Sequence, residues 1–256
     1  MASLFRVLVS RPYVSVLRRS FALAAAKPVP DATTSSNDEA PLFETLRGVI
    51  DNNTLEAIKH THMSPVQAQI FPLLPNLVSP YDPNDPTSER KDLLVKAKTG
   101  TGKTMGFLIP AIEARIKAIN AHLDSTADSA EILDTPQLRV RAINQFAIER
   151  VGTLIVSPTR ELATQIAVEA SNLTKNHVGF QVRVLLGGES KGRQLREWAG
   201  RKDIVVCTPG RVLDLLNSVP RFSEPFKHTQ MVSFFFLARS FSPFTSKLFF
   251  GLAYSG

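Results

Sequence analysis

The sequence predicts an α/β fold in which helices flank a parallel β-sheet. Three observations predict it. Short segments of strand length alternate with helix-length segments over residues 93–216. These strands are predominantly apolar, which is typical of a sheet buried on both faces. A glycine-rich turn joins the first strand to the first long helix, and such junctions are where α/β proteins bind ligands.

The elements are expected in the following order. Residues 43–75 form helices interrupted by Pro65 and Pro72, and residues 76–90 form a loop rich in turn-forming residues. Strands are expected at 93–95, 153–156, 182–186 and 204–207. The helices that follow them are expected at 104–118, from 160 onward, at 190–199 and at 210–216. Residues 119–150 are expected to form a surface excursion that is partly helical.

The amino-terminal segment differs in composition from the rest. The net charge is +7, and residues 1–30 contain five basic residues and no acid. A mixture of arginine, serine and apolar residues without acids is typical of a mitochondrial transit peptide. We therefore expect a transit peptide at 1–30, a polar linker at 31–41 and a location in the mitochondrial matrix. The alternative is a disordered basic tail. Cys207 is the single cysteine, so no internal disulfide is possible.

Residues 97–104 follow the pattern of a phosphate-binding loop between a strand and a helix. Glycines in such a loop let successive N–H groups turn toward phosphate oxygens, and the start of the helix adds its positive dipole end. Lys103 is expected to reach the β- and γ-phosphates of ATP, and the Thr104 hydroxyl is expected to bind Mg²⁺. These two are the predicted catalytic residues. The other predicted contacts from this loop are Lys98, Thr99, Gly100, Thr101 and Gly102.

Three later segments each stand at the end of a predicted strand. They are Pro158-Thr159-Arg160 continuing as Glu-Leu-Ala, Gly187-Gly188, and Thr208-Pro209-Gly210-Arg211. With the phosphate loop, they resemble in order the PTRELA, GG and TPGR motifs of the DEAD-box ATP-dependent RNA helicases, of the mitochondrial, fungal type. The resemblance implies an amino-terminal RecA-like lobe of the P-loop NTPases, ATP hydrolysis and RNA unwinding.

The chemistry of these segments agrees with the resemblance. Backbone N–H groups, hydroxyls and guanidinium groups suit a sugar-phosphate backbone and read no base. We therefore expect single-stranded RNA to be contacted independently of its sequence by Pro158, Thr159, Arg160, Gly187, Gly188, Thr208, Pro209, Gly210 and Arg211. A structural interpretation stands beside this one: Thr159 and Thr208 would cap helices, and the glycines would form turns.

An upstream segment, from Met63 to Gln67, resembles the Q motif of the same family. The resemblance implies that Gln67 reads the adenine of ATP, since an amide can bond both its N6 and its N7. Phe43 fits the isolated aromatic residue that the family carries further upstream. His60 stands where the family often has an aromatic residue that stacks on the base. The alternative is that His60 is a solvated helix residue.

The resemblance stops after Met231. The family continues with an apolar strand ending in Asp-Glu-Ala-Asp, which positions Mg²⁺ and the attacking water. Residues 225–256 contain no Asp or Glu. We therefore expect a partial RecA-like domain at 42–231, an aberrant apolar tail at 232–256 and negligible ATP hydrolysis. We also expect the missing strand beside the phosphate-loop strand, with the apolar run 232–237 as its substitute.

The origin of the tail is a separate hypothesis. Val232-Ser233 is what the intron-start nucleotides GTAAGT or GTGAGT encode, so the tail would be translated intron. The alternative is a membrane anchor, but Arg239, Pro243 and Lys247 interrupt the apolar run well short of the ~20 residues that a span requires. We therefore expect no membrane partner.

Two other classes of function remain open. One is another RecA-like P-loop ATPase directed at DNA, against which the joint PTRELA and TPGR matches argue. The other is a non-catalytic nucleotide-binding or RNA-binding fragment, or an unstable product without a role.

Overall fold

The computed structural model describes residues 40–79, 92–97, 100–127, 135–239 and 246–254. The predicted transit peptide and nearly all of the predicted linker lie outside the described residues. So do Lys98 and Thr99 of the phosphate loop. Within the described residues, no helix is long and apolar enough to cross a membrane.

Short helices precede the sheet. They are a 3₁₀ helix at Phe43–Leu46, α1 at Asn52–Ala57, α2 at Pro65–Ile70, a 3₁₀ helix at Phe71–Leu73, and α3 at Leu74–Leu77. Pro65 begins α2 and does not interrupt a helix as expected, because the first helical position needs no N–H partner. Ser64 caps α2 in a reciprocal capping box with Gln67.

Strands and helices then alternate as the sequence predicts. The strands are β1 at Leu93–Ala97, β2 at Thr153–Val156, β3 at Val182–Leu185, β4 at Ile204–Cys207, β5 at Met231–Arg239 and β6 at Ser246–Tyr254. The helices are α4 at Lys103–Ala127, α5 at Pro136–Glu149, α6 at Arg160–Leu173, α7 at Lys191–Trp198 and α8 at Pro209–Ser218, with a 3₁₀ helix at Glu224–His228. Helix α4 passes through Pro110 and is longer than expected, and the excursion contains a complete helix, α5.

The six strands form one sheet in the order β1-β6-β5-β2-β4-β3. The pairs β5/β2, β2/β4 and β4/β3 are parallel. Strand β6 is antiparallel to both β5 and β1, so β1 runs parallel to β5. The predicted parallel sheet flanked by helices is therefore confirmed, with β6 as one inserted antiparallel strand.

The expected position of the apolar run 232–237 is wrong. That run belongs to β5, which pairs with β2 and places Phe234 opposite Val156. The strand beside β1 is β6, which places Phe250 opposite Val95. The reason lies in the short connection from β5 to β6, because consecutive strands joined by few residues pair antiparallel with each other.

Apolar side chains cover both faces of the sheet. Along β4, Ile204 and Val206 belong to the core cluster that contains α4 and α6, and Val205 and Cys207 belong to the cluster that contains α8. All four are at most 1% exposed. Because side chains on both faces of β4 are buried in this way, its sequence is an uninterrupted apolar run.

A buried ion network lies at the amino-terminal edge of the sheet. Asp203 stands just before β4 and accepts hydrogen bonds from Arg115 Nε at 3.0 Å and Arg201 Nε at 2.9 Å. The side chains of Arg115 and Asp203 are both 0% exposed. Since Arg115 belongs to α4, this network ties the helix that follows the phosphate loop to the strands on the other side of the sheet.

Candidate functional site

The phosphate loop joins β1 to α4, and its backbone depends on glycine. Gly100 and Gly102 have φ angles of 79° and 75°, in the left-handed region that other residues rarely adopt. Lys103 follows as the first residue of α4. The loop therefore leads directly into a helix amino terminus, which is a favourable place for an anion.

Lys103 folds back onto the loop. Its Nζ donates to Ala97 O at 2.9 Å and lies 3.4 Å from Thr101 Oγ1. The residue is only 4% exposed, and burial lowers the pKa of its ammonium group. A buried cation of this kind is stabilised by an anionic neighbour, so the side chain is suited to receive a phosphate group.

The Q-motif residues hold the same loop from outside. Gln67 Oε1 accepts from Ser64 N at 2.7 Å, and Gln67 Nε2 donates to Gly102 O at 3.0 Å. Ser64 Oγ donates to Thr101 O at 2.9 Å. A Cβ at Gly102 would lie 2.6 Å from Gln67 Nε2, so only glycine permits this approach. Gln67, the predicted adenine reader, is thus 4% exposed, and its amide is engaged with the loop backbone.

The remaining predicted nucleotide contacts differ in exposure. Phe43 is 3% exposed and packs against Phe71 with ring centroids 5.9 Å apart. His60 is exposed, and Thr104 is half-buried at the start of α4. Thr104 therefore lies in the first turn of α4, directly after the phosphate loop, whereas Phe43 lies in the core.

The three segments predicted to contact RNA lie at the same end of the sheet, after the carboxyl ends of β2, β4 and β3, because these strands are neighbours and parallel. Thr159 Oγ1 caps α6 by accepting from Leu162 N at 3.2 Å. Arg160 is exposed, and its Nη1 donates to Gly187 O at 3.4 Å. Gly188 has a φ angle of 82°, which fits the expected glycine turn.

The structural interpretation of Thr208 is wrong in detail. Its side chain makes no capping bond to α8. Its hydroxyl instead accepts a hydrogen bond from Gly187 N at 3.4 Å. Because Gly187 follows the neighbouring strand β3, Thr208 links two of the predicted segments and leaves the start of α8 uncapped by its own side chain.

Arg211 is held by a residue that no motif singled out. Its Nη1 donates to Gln194 Oε1 at 2.8 Å, and its Nη2 donates to Glu189 O at 2.9 Å. The Arg211 side chain is only 9% exposed. Gln194 lies on α7 and is the buried residue of that helix. A polar residue on the inward face of an amphipathic helix was the available signal for it in the sequence.

The structure thus assembles two groups of predicted residues at the carboxyl ends of parallel strands. One group consists of the phosphate loop and the Q-motif residues beside it. The other consists of the segments that follow β2, β3 and β4. Strands β6 and β5 separate β1 from β2, so the two groups belong to different parts of the sheet.

The family of the chain follows from comparison with known proteins. The sequence model of the DEAD/DEAH box helicases matches residues 64–234, which is more than half of the chain. This chain belongs to the DEAD/DEAH box helicase family. The match includes the Q motif, the phosphate loop and all three segments at the ends of β2, β3 and β4.

Individual relatives agree with the family. The chain is 34% identical over 184 residues to the human ATP-dependent RNA helicase DDX18, covering 70% of this chain and 22% of that protein. It is 32% identical over 200 residues to the mitochondrial ATP-dependent RNA helicase mss116 of Aspergillus oryzae, covering 76% of this chain and 26% of that protein. A rice DEAD-box ATP-dependent RNA helicase 25 is 37% identical over 143 residues, covering 56% of this chain and 20% of that protein. The chain therefore spans about a quarter or less of the length of these helicases.

A solved structure shows the same fold. It is the DEAD-box helicase Mss116 bound to ssRNA and UDP-BeF, which is 28% identical to this chain with a TM-score of 0.51. The similarity covers 75% of this chain and 32% of that protein. The RecA-like assignment of the fold is thereby confirmed.

Proposed function

We propose that this chain is a nucleotide-binding and RNA-binding RecA-like domain of a DEAD-box ATP-dependent RNA helicase. The observation that carries the proposal is the placement of the phosphate loop and the three backbone-contacting segments at the carboxyl ends of parallel strands. The helicase names of its relatives, and the ssRNA and nucleotide analogue named with Mss116, support both ligands.

ATP is the proposed nucleotide, and the residues present fit its phosphates. Gly100 and Gly102 have the left-handed backbone that turns N–H groups inward, and Lys103 offers a buried ammonium group. Lys98, Thr99 and Thr101 are proposed to complete the loop. Gln67 and His60 are proposed to contact the base, for which the Gln67 amide has to exchange its bond to Gly102 O. Phe43 is proposed to support that pocket from the core.

Mg²⁺ is the proposed metal, with Thr104 as its one ligand from the loop. In the phosphate-loop enzymes, an acidic residue shares this role and Mg²⁺ neutralises the charge that develops during phosphoryl transfer. Among the residues that the structure describes, no group of three or more His, Cys, Asp or Glu side chains could hold a metal ion. Residues 225–256 contain no acid at all. We therefore propose that the 256-residue chain binds ATP and hydrolyses it negligibly.

RNA is the proposed second ligand, gripped through its backbone. Arg160 is exposed at the start of α6, beside Gly187 and Gly188. Pro158, Thr159, Thr208, Pro209 and Gly210 offer hydroxyl and backbone groups on the adjacent strands, together with Arg211. Such groups recognise phosphate and sugar without reading bases, so binding should be independent of sequence.

The nucleotide site is tested by binding of a fluorescent ATP analogue with Mg²⁺ to the purified full chain. Lys103→Ala should weaken binding by roughly 30-fold, because a hydrogen bond to a charged group contributes about 2 kcal/mol. The matched control is Lys175→Ala, which removes an exposed lysine on the loop after α6. Equal affinities for wild type and Lys103→Ala would contradict the site.

The RNA site is tested by fluorescence anisotropy with ten-nucleotide oligo(U) and oligo(A). The two should bind equally well, and Arg160→Gln should weaken both by about tenfold and reduce the salt dependence by about one phosphate contact. Arg139→Gln on the exposed face of α5 is the control for net charge. A strong preference for one base composition would contradict backbone recognition.

Hydrolysis and location are tested separately. RNA-stimulated release of phosphate at the rate of a complete helicase would refute the inactivity proposed here.

We also propose that residues 1–30 direct the chain to the mitochondrial matrix and that 31–41 link them to the domain at 42–231. A fluorescent protein carrying residues 1–41 should enter mitochondria. Its cytosolic retention would overturn this part of the proposal and leave the site proposals untouched. Contiguous genomic coding sequence through codon 256, with no splice donor at 232, would refute the intron origin of 232–256.

A further inference from the structure

The loop that carries Gly187 and Gly188 stands at an exposed position in the sheet. It follows β3, which is the last strand of the described sheet and pairs, among the described residues, with β4 alone. A loop at a sheet edge has strand neighbours on one side alone, so its order depends on side chains that bond its backbone. Both arginines of the neighbouring segments do so: Arg160 donates to Gly187 O, and Arg211 donates to Glu189 O.

Gln194 completes this arrangement from beneath. It is 1% exposed, although its helix α7 is otherwise half-buried or exposed. Its Nε2 donates to Leu186 O at 3.0 Å, and its Oε1 accepts from Arg211 Nη1 at 2.8 Å. Leu186 and Glu189 flank the two glycines on either side. The Gln194 amide thus bonds Leu186, which precedes the glycines, and it also bonds Arg211. Arg211 in turn bonds Glu189, which follows the glycines.

A buried amide at this position is not explained by packing. Burial of a polar group is unfavourable unless its hydrogen bonds are made, and an apolar residue would fill the inward face of α7 without that requirement. Both ends of the Gln194 amide are used: one bond reaches Leu186, which directly precedes the glycines that the proposed function assigns to RNA, and the other reaches Arg211. The residue therefore connects the glycine loop to the start of α8.

We infer that Gln194 is a positioning residue that holds the Gly187-Gly188 loop and Arg211 as one rigid RNA-contacting unit. In this arrangement Arg211, which is 9% exposed, acts mainly on the loop backbone, and Arg160 is the exposed guanidinium that meets phosphate. The inference rests on the proposed function for its RNA part. Its structural part concerns this chain alone.

The first experiment measures hydrogen–deuterium exchange of residues 185–191 in the full chain. Gln194→Leu keeps the approximate side-chain size and removes the hydrogen bonds to Leu186 O and Arg211, together with a longer one of 3.5 Å to Glu189 Oε2. We expect the amides of this loop to exchange at least about tenfold faster than in wild type, because the loop loses its bond at Leu186 O and its Arg211 is released. The matched control is Gln145→Leu on the exposed face of α5, which should leave the loop unchanged. Unchanged exchange in Gln194→Leu overturns the inference.

The second experiment measures RNA and nucleotide affinities of the same variants. Gln194→Leu should weaken oligo(U) binding by about fivefold to tenfold without any change in charge, and the affinity for the ATP analogue should stay at the wild-type value. Arg211→Lys, which keeps the charge and loses the paired bonds, should weaken RNA binding to a similar degree. Because both substitutions break one network, the double variant should be no more than about twofold weaker than either single variant.

The outcomes separate the inference from the proposed function. Multiplicative effects in the double variant, or faster exchange with unchanged RNA affinity, overturn the inference. If wild type binds no RNA, the proposed function fails, and the exchange experiment alone decides whether Gln194 orders the loop. Gln194→Leu is compared with Gln145→Leu by thermal melting. If only Gln194→Leu has lost its cooperative melt, the hydrogen–deuterium exchange experiment is repeated with Arg211→Lys, which keeps the positive charge and breaks the same network.

Discussion

The two halves of the sheet are held together in different ways. In the half built from β2, β4 and β3, all pairs are parallel, and the segments that follow the strands bond each other directly. In the other half, β1 pairs with β6 alone among the strands that the structure describes, and β6 runs antiparallel to it. The family match ends at residue 234, within β5. The phosphate loop therefore depends on a strand outside the family match, whereas the segments that follow β2, β3 and β4 do not.

This contrast shows that the motifs alone do not secure the site. The phosphate loop is complete in sequence, but its strand is joined to the sheet by residues 246–254, which have no counterpart in the match. Helix α4, which follows the phosphate loop, supplies a second connection to the sheet. Its Arg115 bonds Asp203, which stands just before β4 at the amino-terminal end of the strands.

Asp203→Ala should be the most damaging substitution. It leaves the buried guanidinium groups of Arg115 and Arg201 without their carboxylate, and an uncompensated buried charge costs about 3–5 kcal/mol in the free energy of unfolding. Urea denaturation measures the loss. The control is Asp214→Ala, which removes a carboxylate that is 49% exposed and paired with Lys191, and should cost less than about 1 kcal/mol. Similar costs for the two would show that the network does not join the halves.

Gly251→Pro should detach β1 selectively. Residue 251 pairs with Leu94 on one side and Phe234 on the other, and proline at this position would remove an N–H from the ladder of hydrogen bonds. We expect the amides of β1 to exchange about 100-fold faster, with those of β4 unchanged. Gly251→Ala retains the N–H and is the control. Equal acceleration in β1 and β4 would show that the two halves unfold as one unit.

The stability of the phosphate-loop half should depend on pH through Glu113 of α4. This side chain is 6% exposed, Asp51 N donates to it at 3.1 Å, and burial raises its pKa to about 7 from the ordinary 4.5. The folded state therefore binds a proton that the unfolded state releases between those values. The free energy of unfolding should fall by about 3 kcal/mol as pH rises from 4.5 to 7, and then stay constant.

Glu113→Gln should remove that slope, whereas exposed Glu56→Gln should keep it. The charged groups facing Glu113 are Asp51 and Lys117, with His177 bonded to Thr54 nearby. Burial lowers the pKa of His177, so its contribution has the opposite sign and is lost as pH falls below its ordinary value of 6.5. Denaturation by urea across this pH range measures both. An unchanged slope in Glu113→Gln would assign the dependence elsewhere.

The smallest expected effect concerns two buried serines, one on β5 and the other directly after the neighbouring strand β2. Ser233 of β5 is 0% exposed, and its Oγ has no hydrogen-bond partner within the described part of the chain. Ser157 follows β2, is equally buried, and donates to Thr159 O at 3.2 Å. Ser233→Ala should raise the free energy of unfolding by about 1 kcal/mol, and Ser157→Ala should lower it by about as much. Effects of the same sign, measured by thermal melts, would remove this difference between the halves.

Several features were predictable from the sequence because they depend on residues close together in the chain. The strands 153–156 and 204–207 match their predicted bounds, since each is a short apolar run between turn formers. The Thr159 cap and the left-handed glycines of the phosphate loop also follow from local geometry. The motifs placed the chain in its family for the same reason.

Other features were decided only by tertiary structure, because they depend on groups distant in the chain. The place of β6 between β1 and β5 follows from strand pairing, which the apolar pattern of 232–256 does not specify. The bond from Gly187 N to Thr208, and the role of Gln194 beneath Arg211, require that β3 and β4 be neighbours. Local sequence is therefore enough to identify the loops that this protein carries. Packing determined which side chains hold them, because burial removes water and leaves most polar groups dependent on a partner within the protein.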